Sequence, residues 1–196
     1  GAIVGRSTPK NQCTRTTYLH HDEQFEDFEL VFEIKLEGDG ANSGMQYRST
    51  PRGKDFGDGF DLSGYQADLD SNHSYSGILY ETNGRGITVL RGESVKFDSE
   101  GNKLALQPRQ DDAALKTHLA KGGKDGWHTY RILARGGHLE HWIDGTRMVL
   151  VEDEYEKRIP RGVLALQIHQ GKPMTLRARN IRIKPLRTPN APTTKK

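Results

Sequence analysis

The sequence predicts an all-β fold, a two-sheet sandwich or jelly roll, on three observations. Apolar and polar residues alternate with period two in segments that recur from Phe28 to Leu186. That period belongs to a strand with one buried face. The segments are short and separated by glycine, asparagine and aspartate, and only one stretch carries a helical pattern. Many short strands with almost no helix pack as two sheets around one core.

The elements follow in order. "FELVFEIKL" sets Phe28, Leu30, Phe32, Ile34 and Leu36 on one side and Glu29, Val31, Glu33 and Lys35 on the other. "GDGANSG" supplies a turn, and "MQYRS" resumes as a strand with Met45 and Tyr47 opposite Gln46 and Arg48. "GYQADLD" opposes Tyr65, Ala67 and Leu69 to Gln66, Asp68 and Asp70, and "SGILYE" opposes Ile78 and Tyr80 to Leu79 and Glu81. "GITVLR", "WHTYRILA", "LEHWIDGTRMVLVE", "GVLALQIHQ" and "LRARNIRIKPL" continue the series. A hairpin is expected at Gly136-Gly137, where glycine tolerates the positive φ of a tight turn. The helical stretch is "QDDAALKTHLAKGG", with Asp111 or Asp112 as N-cap and Gly122 as the stop.

The bulk properties narrow the function. A chain of 196 residues suffices for one well-cored domain, and 22 glycines suit a fold rich in turns. The formal charge of +3 is spread out, with no basic run interleaved with aromatics, which argues against nucleic acid as a partner. Cys13 is the single cysteine, so neither an intramolecular disulfide nor a thiolate metal cage can form. No apolar run reaches membrane-spanning length. The opening "GAIVG" reads as the middle of a fold, and the end, residues 187–196, reads as a disordered tail. His20-His21-Asp22 has the composition of a metal tract, though a short cluster of this kind before a strand is more often surface.

The polar strand faces carry the functional signal. A solvated face is usually Lys, Glu, Thr and Ser. Here the outward sets are Gln46 with Arg48, Gln66 with Asp68, and Gln167 with His169. Between them, amides, carboxylates, guanidinium and imidazole supply donors and acceptors in fixed planes, which suits the hydroxyls of a sugar. Were these strands neighbours, one concave sheet face would present them together. Tyr47, Tyr65, Tyr80 and Trp142 are the rings nearest to hand for stacking on a pyranose. Each residue also has an ordinary reading: Asp68 and Asp70 as solvated strand residues or a calcium-binding edge, Arg48 in a strand-neighbour ion pair, His169 and His141 as structural histidines.

Six stretches, "EDFELVFEIKLEGDGANSGMQYRS", "GYQADLD", "SGILYE", "GWHTYRI", "HWIDG" and "GVLALQIHQGKPMTLRARNIRIKPL", resemble in order and spacing the 3-keto-disaccharide hydrolase family. The resemblance runs from about Ala2 to Leu186, and its most specific pieces are Asn-Ser-Gly-x-x-x-Arg and Leu-Gln-x-His-x-Gly. It implies a concanavalin A-like jelly roll over residues 1–186, lacking one or two N-terminal strands. It further implies a bacterial exported or periplasmic location and action on glycosides oxidised at the C3 hydroxyl. The section from Gly86 to Gly126 reads as a subgroup insertion that walls the groove.

Ordinary glycosidases need two carboxyl groups flanking the scissile bond. The matching parity here is Gln66-x-Asp68-x-Asp70, in which Gln66 cannot be a nucleophile. A 3-keto sugar changes the demand. Its ketone acidifies the C2 proton, so a base can form an enediolate that expels the C1 substituent, and water then adds. The residues expected to carry this are His169, Asp68 and Arg48, with Gln46, Gln66, Gln167, Glu81 and His141 binding substrate. A divalent metal on Asp68 and His169 is a further expectation. The alternatives are a non-catalytic carbohydrate-binding module on the same fold, and a structural interaction domain.

Overall fold

The structure, a computed structural model, describes residues 1–53 and 59–186. In chain order the strands are β1 (Ile3–Arg6), β2 (Thr17–His20), β3 (Phe28–Glu37), β4 (Asn42–Pro51), β5 (Leu62–Asp70), β6 (Leu79–Thr82), β7 (Gly86–Val89), β8 (Ser94–Phe97) and β9 (Lys103–Gln107). After helix α1 (Asp112–Lys121) come β10 (His128–Arg135), β11 (His138–Ile143), β12 (Thr146–Asp153), β13 (Val163–Ile168) and β14 (Thr175–Pro185). An eight-stranded sheet in the order β1-β14-β3-β10-β11-β12-β8-β9 packs on a six-stranded sheet in the order β2-β13-β4-β5-β6-β7. This is the expected sandwich. The described pairings are antiparallel except β8 with β12.

The inward faces are those that alternation predicts. Phe28, Leu30, Phe32 and Ile34 of β3 are fully buried and meet Met45, Tyr47, Tyr65 and Ala67 from the facing sheet in one cluster. Phe32 stacks on Tyr130 with ring centroids 5.4 Å apart. Two rings named for sugar stacking, Tyr47 and Tyr65, are thereby core residues. Trp142 lies on the eight-stranded sheet, donating to Glu140 Oε2 at 2.6 Å beneath Arg131.

Charged groups also stitch the sheets together. Arg48 breaks its strand's parity: a β-bulge interrupts β4 between Tyr47 and Thr50, and Arg48 takes φ of 47°. The bulge swings a side chain expected on the outer face into the interior. There its guanidinium donates to Glu26 O at 2.7 Å, Gly136 O at 2.7 Å and Asp27 Oδ1 at 3.2 Å. It joins β4 to the segment entering β3 and to the β10–β11 turn. Arg85 makes the second tie, reaching Glu81 of β6 at 2.5 Å and Asp153 of β12 at 2.6 Å.

Most of the Gly86–Gly126 section builds the sandwich itself. Its β7 extends the six-stranded sheet, while β8 and β9 extend the other. Helix α1 buries Leu115 and Leu119 against the core, and Arg91 holds it through Asp112 at 2.8 Å. Asp111 caps it by accepting from Ala113 N–H, and Gly122 ends it at φ of 62°. The stretch read as one strand, "LEHWIDGTRMVLVE", is a hairpin that turns at Asp144-Gly145. Strands β1, β2, β8 and β9 were not expected. The tail at 187–196 lies outside the described residues. No helix among those described is long and apolar enough to cross a membrane.

Arg48→Met should cost roughly 3–5 kcal/mol in urea denaturation, because it leaves the buried Asp27 carboxylate without its cation and two partly buried carbonyls short of a donor.

Candidate functional site

The outer face of the six-stranded sheet carries the site, and strand register explains how. Gln46 lies opposite Gln66, which lies opposite Tyr80, which pairs with Ile87, forming one row across β4 to β7. In the next row Tyr18 faces Gln167, and Gly44 faces Asp68. Since Leu166 faces Met45, Gln167 falls beside Gly44. Glycine is required there, because a Cβ on Gly44 would come within 2.7 Å of Ala67 O and 2.9 Å of the Gln66 Cγ. The notch lets Gln66 lie across β4 and reach β13.

The amides form one directional chain. Ser49 Oγ donates to Gln46 Oε1 at 2.5 Å, and Gln46 Nε2 donates to Gln66 Oε1 at 3.0 Å and Thr82 Oγ1 at 2.6 Å. Gln66 Nε2 donates to Asp68 Oδ1 and, at 3.3 Å, to Gln167 Oε1. Gln167 Nε2 ends the chain on the Tyr18 hydroxyl at 3.2 Å. Both amide protons of Gln66 are therefore committed. Oδ1 of Asp68 is held as an acceptor, while Oδ2 makes no hydrogen bond within the described residues.

These groups line a cavity of about 510 Å³. Its floor is Gln66, Asp68, Gln167 and Tyr18, with His169, Thr16 and Asn42 at one end. Tyr75, Ile78, Tyr80 and Ile87 form the opposite wall. The Asp68 carboxyl is pushed up to about 7, chiefly by burial and further by the charge of Asp70, against the lowering effect of the Gln66 hydrogen bond. Burial also raises the Tyr18 phenol. His169 Nδ1 lies 2.6 Å from Gln170 O. A carbonyl only accepts, so Nδ1 is the donor in this contact and Nε2 lies outside it.

A 3-keto-alpha-glucoside-1,2-lyase-like domain model matches residues 1–184. The chain belongs to this family. Membership gives it a glycoside-related function. No curated protein sequence matches it. Among solved structures, it is similar to the carbohydrate-binding module CBM66 of Bacillus subtilis, with TM-score 0.55 and 12% identity over 94% of this chain and 95% of that one. A protein of unknown function with a galectin-like fold, also from Bacillus subtilis, gives 0.53 and 11% over 93% and 88%. A glycosyl-hydrolase candidate from Parabacteroides distasonis ATCC 8503 gives 0.52 and 16% over 95% and 81%. At these identities the likeness is one of fold.

Of the residues expected in the site of this lyase-like domain, Asp68, His169, Gln66 and Gln167 line one cavity. Gln46 is fully buried and acts behind Gln66. Three expected residues lie elsewhere. Arg48 is turned inward by the bulge. Glu81 points between the sheets to Arg85, because β6 does not curl and its parity holds. His141 is buried in the core, accepting from the Tyr47 hydroxyl at 3.0 Å and donating to Ile78 O at 3.2 Å. Burial drops it to about 3, so it stays neutral.

Asp70, the last polar residue of its strand, is structural. Its carboxylate accepts from Ser74, Tyr75 and Ser76 N–H at 2.8–2.9 Å and ties down the loop that carries Tyr75. Both members of the expected metal pair, Asp68 and His169, line the cavity. No three His, Cys, Asp or Glu among the described residues converge, and Asp68 already accepts from Gln66. At the histidine tract, His20 meets only Asp22 at 3.6 Å and His21 accepts from Glu23 N–H. Tyr18, Thr16, Asn42, Tyr75 and Ile87 were missed. Alternation of Thr16, Tyr18 and His20 in "TTYLH" is the signal that could have found the first two.

A raised carboxyl binds its proton more tightly in the folded chain, so it lowers stability progressively between about pH 4 and 7 and levels off above. Asp68→Asn removes that penalty. Relative to the variant, wild-type protein should lose up to roughly 4 kcal/mol across this range, read from urea melts at stepped pH.

Proposed function

We propose that this domain cleaves 3-keto-glycosides by elimination across C1 and C2, with Asp68 as the proton donor to the leaving oxygen. The observation that carries the proposal is a buried carboxyl whose pKa is raised to about 7 at the middle of a sugar-sized cavity. The family's 1,2-lyase description supports this bond choice.

Strand order supports the following assignment of roles. Asp68 stands on β5, between the amide side on β2, β13 and β4 and the apolar side on β6 and β7. A sugar over Gln167 and Tyr18 with its aglycone over Tyr80 puts the glycosidic oxygen above Asp68. His169 Nε2 takes the C2 proton, and the electrons of that bond form the enediolate at C2 and C3. The Tyr18 hydroxyl, which accepts from Gln167, has its own proton to give to the C3 oxygen. Collapse of the enediolate forms the C1–C2 double bond and breaks the bond from C1 to the aglycone oxygen. Asp68 Oδ2–H protonates that oxygen. Return of water at C1 and of a proton at C2 makes the net result hydrolysis.

The same net protonation could serve with the two groups exchanged, and pH separates the arrangements. With Asp68 as acid, kcat/KM should fall as pH rises through about 7, whereas a rise there would make Asp68 the base. Aglycone release from a chromogenic 3-keto-glucoside, set beside the unoxidised glucoside, is the direct assay. Only the keto compound should react, and Asp68→Asn or His169→Ala should lower kcat about 10²- to 10⁴-fold. Binding of both compounds without turnover of either would instead establish a sugar-binding module.

A further inference from the structure

The cavity has two chemically different halves, and the reaction uses only one. On the side of β6 and β7, Tyr80 and Ile87 are cross-strand partners on the outer face, and Ile78 sits next to them. Tyr75 closes this wall from the loop that Asp70 pins. Two of these are large apolar residues left open to solvent: Tyr75 is 46% exposed and Ile87 48%. Two polar groups near this side are engaged elsewhere. Asn83 Nδ2 donates to Leu62 O at 2.9 Å, and Thr82 Oγ1 accepts from Gln46.

We infer that this wall is an aglycone subsite for an apolar leaving group, an alkyl or aryl alcohol, rather than for a second sugar. The inference rests on the glycoside reading above. A second pyranose would bring hydroxyls against Ile78, Tyr80 and Ile87, where desolvated hydroxyls find few partners. An apolar aglycone removes exposed Tyr75 and Ile87 from water instead. Because the Asp70 carboxylate already fixes the Tyr75 loop through three backbone N–H groups, little ordering entropy opposes binding.

A series of n-alkyl 3-keto-glucosides from methyl to octyl isolates the effect, since the acidity of the leaving alcohol barely changes with chain length. The expected result is a kcat/KM that climbs about two- to four-fold per methylene up to roughly hexyl. Ile87→Ser and Tyr75→Ser should each lower the hexyl-to-methyl ratio. A flat wild-type series, or a 3-keto-disaccharide cleaved faster than the hexyl glucoside, overturns the subsite. Calorimetric titration of the same series into Asp68→Asn reads the subsite without turnover. Should no member be cleaved by wild type while affinity still rises with chain length, the lyase reading fails and the subsite stands. Absence of binding by every member sinks both.

Discussion

The guanidinium of Arg48, turned inward by a bulge in β4, is the constraint from which the site is built. Left on the outer face, Arg48 would occupy the same surface as Gln46 and displace the amides there. Turned inward, it fastens the six-stranded sheet to Glu26, Asp27 and Gly136 at the far end of the sandwich. The bulge that reverses Arg48 also presents Ser49 outward, and the Ser49 hydroxyl sets the orientation of Gln46. Each amide then sets the next, and Gln66 in the middle of the chain donates to Asp68. A core interaction thus determines which face of a carboxyl looks into the cavity.

Gly44 contributes by what it lacks. Without a side chain on the strand between Gln167 and Asp68, Gln66 crosses the gap and holds both. The Asn-Ser-Gly-x-x-x-Arg motif reads physically in these terms. Ser43 donates to Gln167 O at 2.7 Å, Gly44 makes the notch, and Arg48 makes the clamp. Apart from Asn42, which lines the cavity, the motif carries construction, and Asp68 and His169 stand outside it. Burial and the hydrogen bond from Gln66 pull Asp68 in opposite directions, and burial wins. That balance raises the carboxyl to about 7 inside the cavity.

The two halves of the cavity follow from strand order. Side chains from β2, β13 and β4 are hydrogen-bonding groups, those from β6 and β7 are mainly apolar apart from Thr82, and Asp68 on β5 is the boundary. Asp70, two residues on, does not share the chemistry of Asp68. It sits where the strand ends, and a chain that turns there leaves three N–H groups for its carboxylate. Position along the strand separates the two roles.

Alternation alone determined the sandwich, because a strand's period states which side chains are buried: Phe28 to Ile34 and Tyr65 to Leu69 lie where the pattern puts them. It also determined the outward sets Gln66 with Asp68 and Gln167 with His169, since these strands run without a break in parity. The tertiary structure decided the rest. A one-residue bulge reverses parity without leaving a mark in hydrophobic pattern, so Arg48 could not be placed from sequence. His141 and Glu81 hold the parity of core-facing residues, but polar side chains are buried only where Tyr47, Ile78 O or Arg85 supplies a partner. Tyr18 and Ile87 belong to short edge strands, whose places beside β13 and β6 only the pairing decides. Which strands are neighbours is set by pairing between segments far apart in the chain, and that pairing brings Tyr18, Gln167 and Asp68 to one cavity floor.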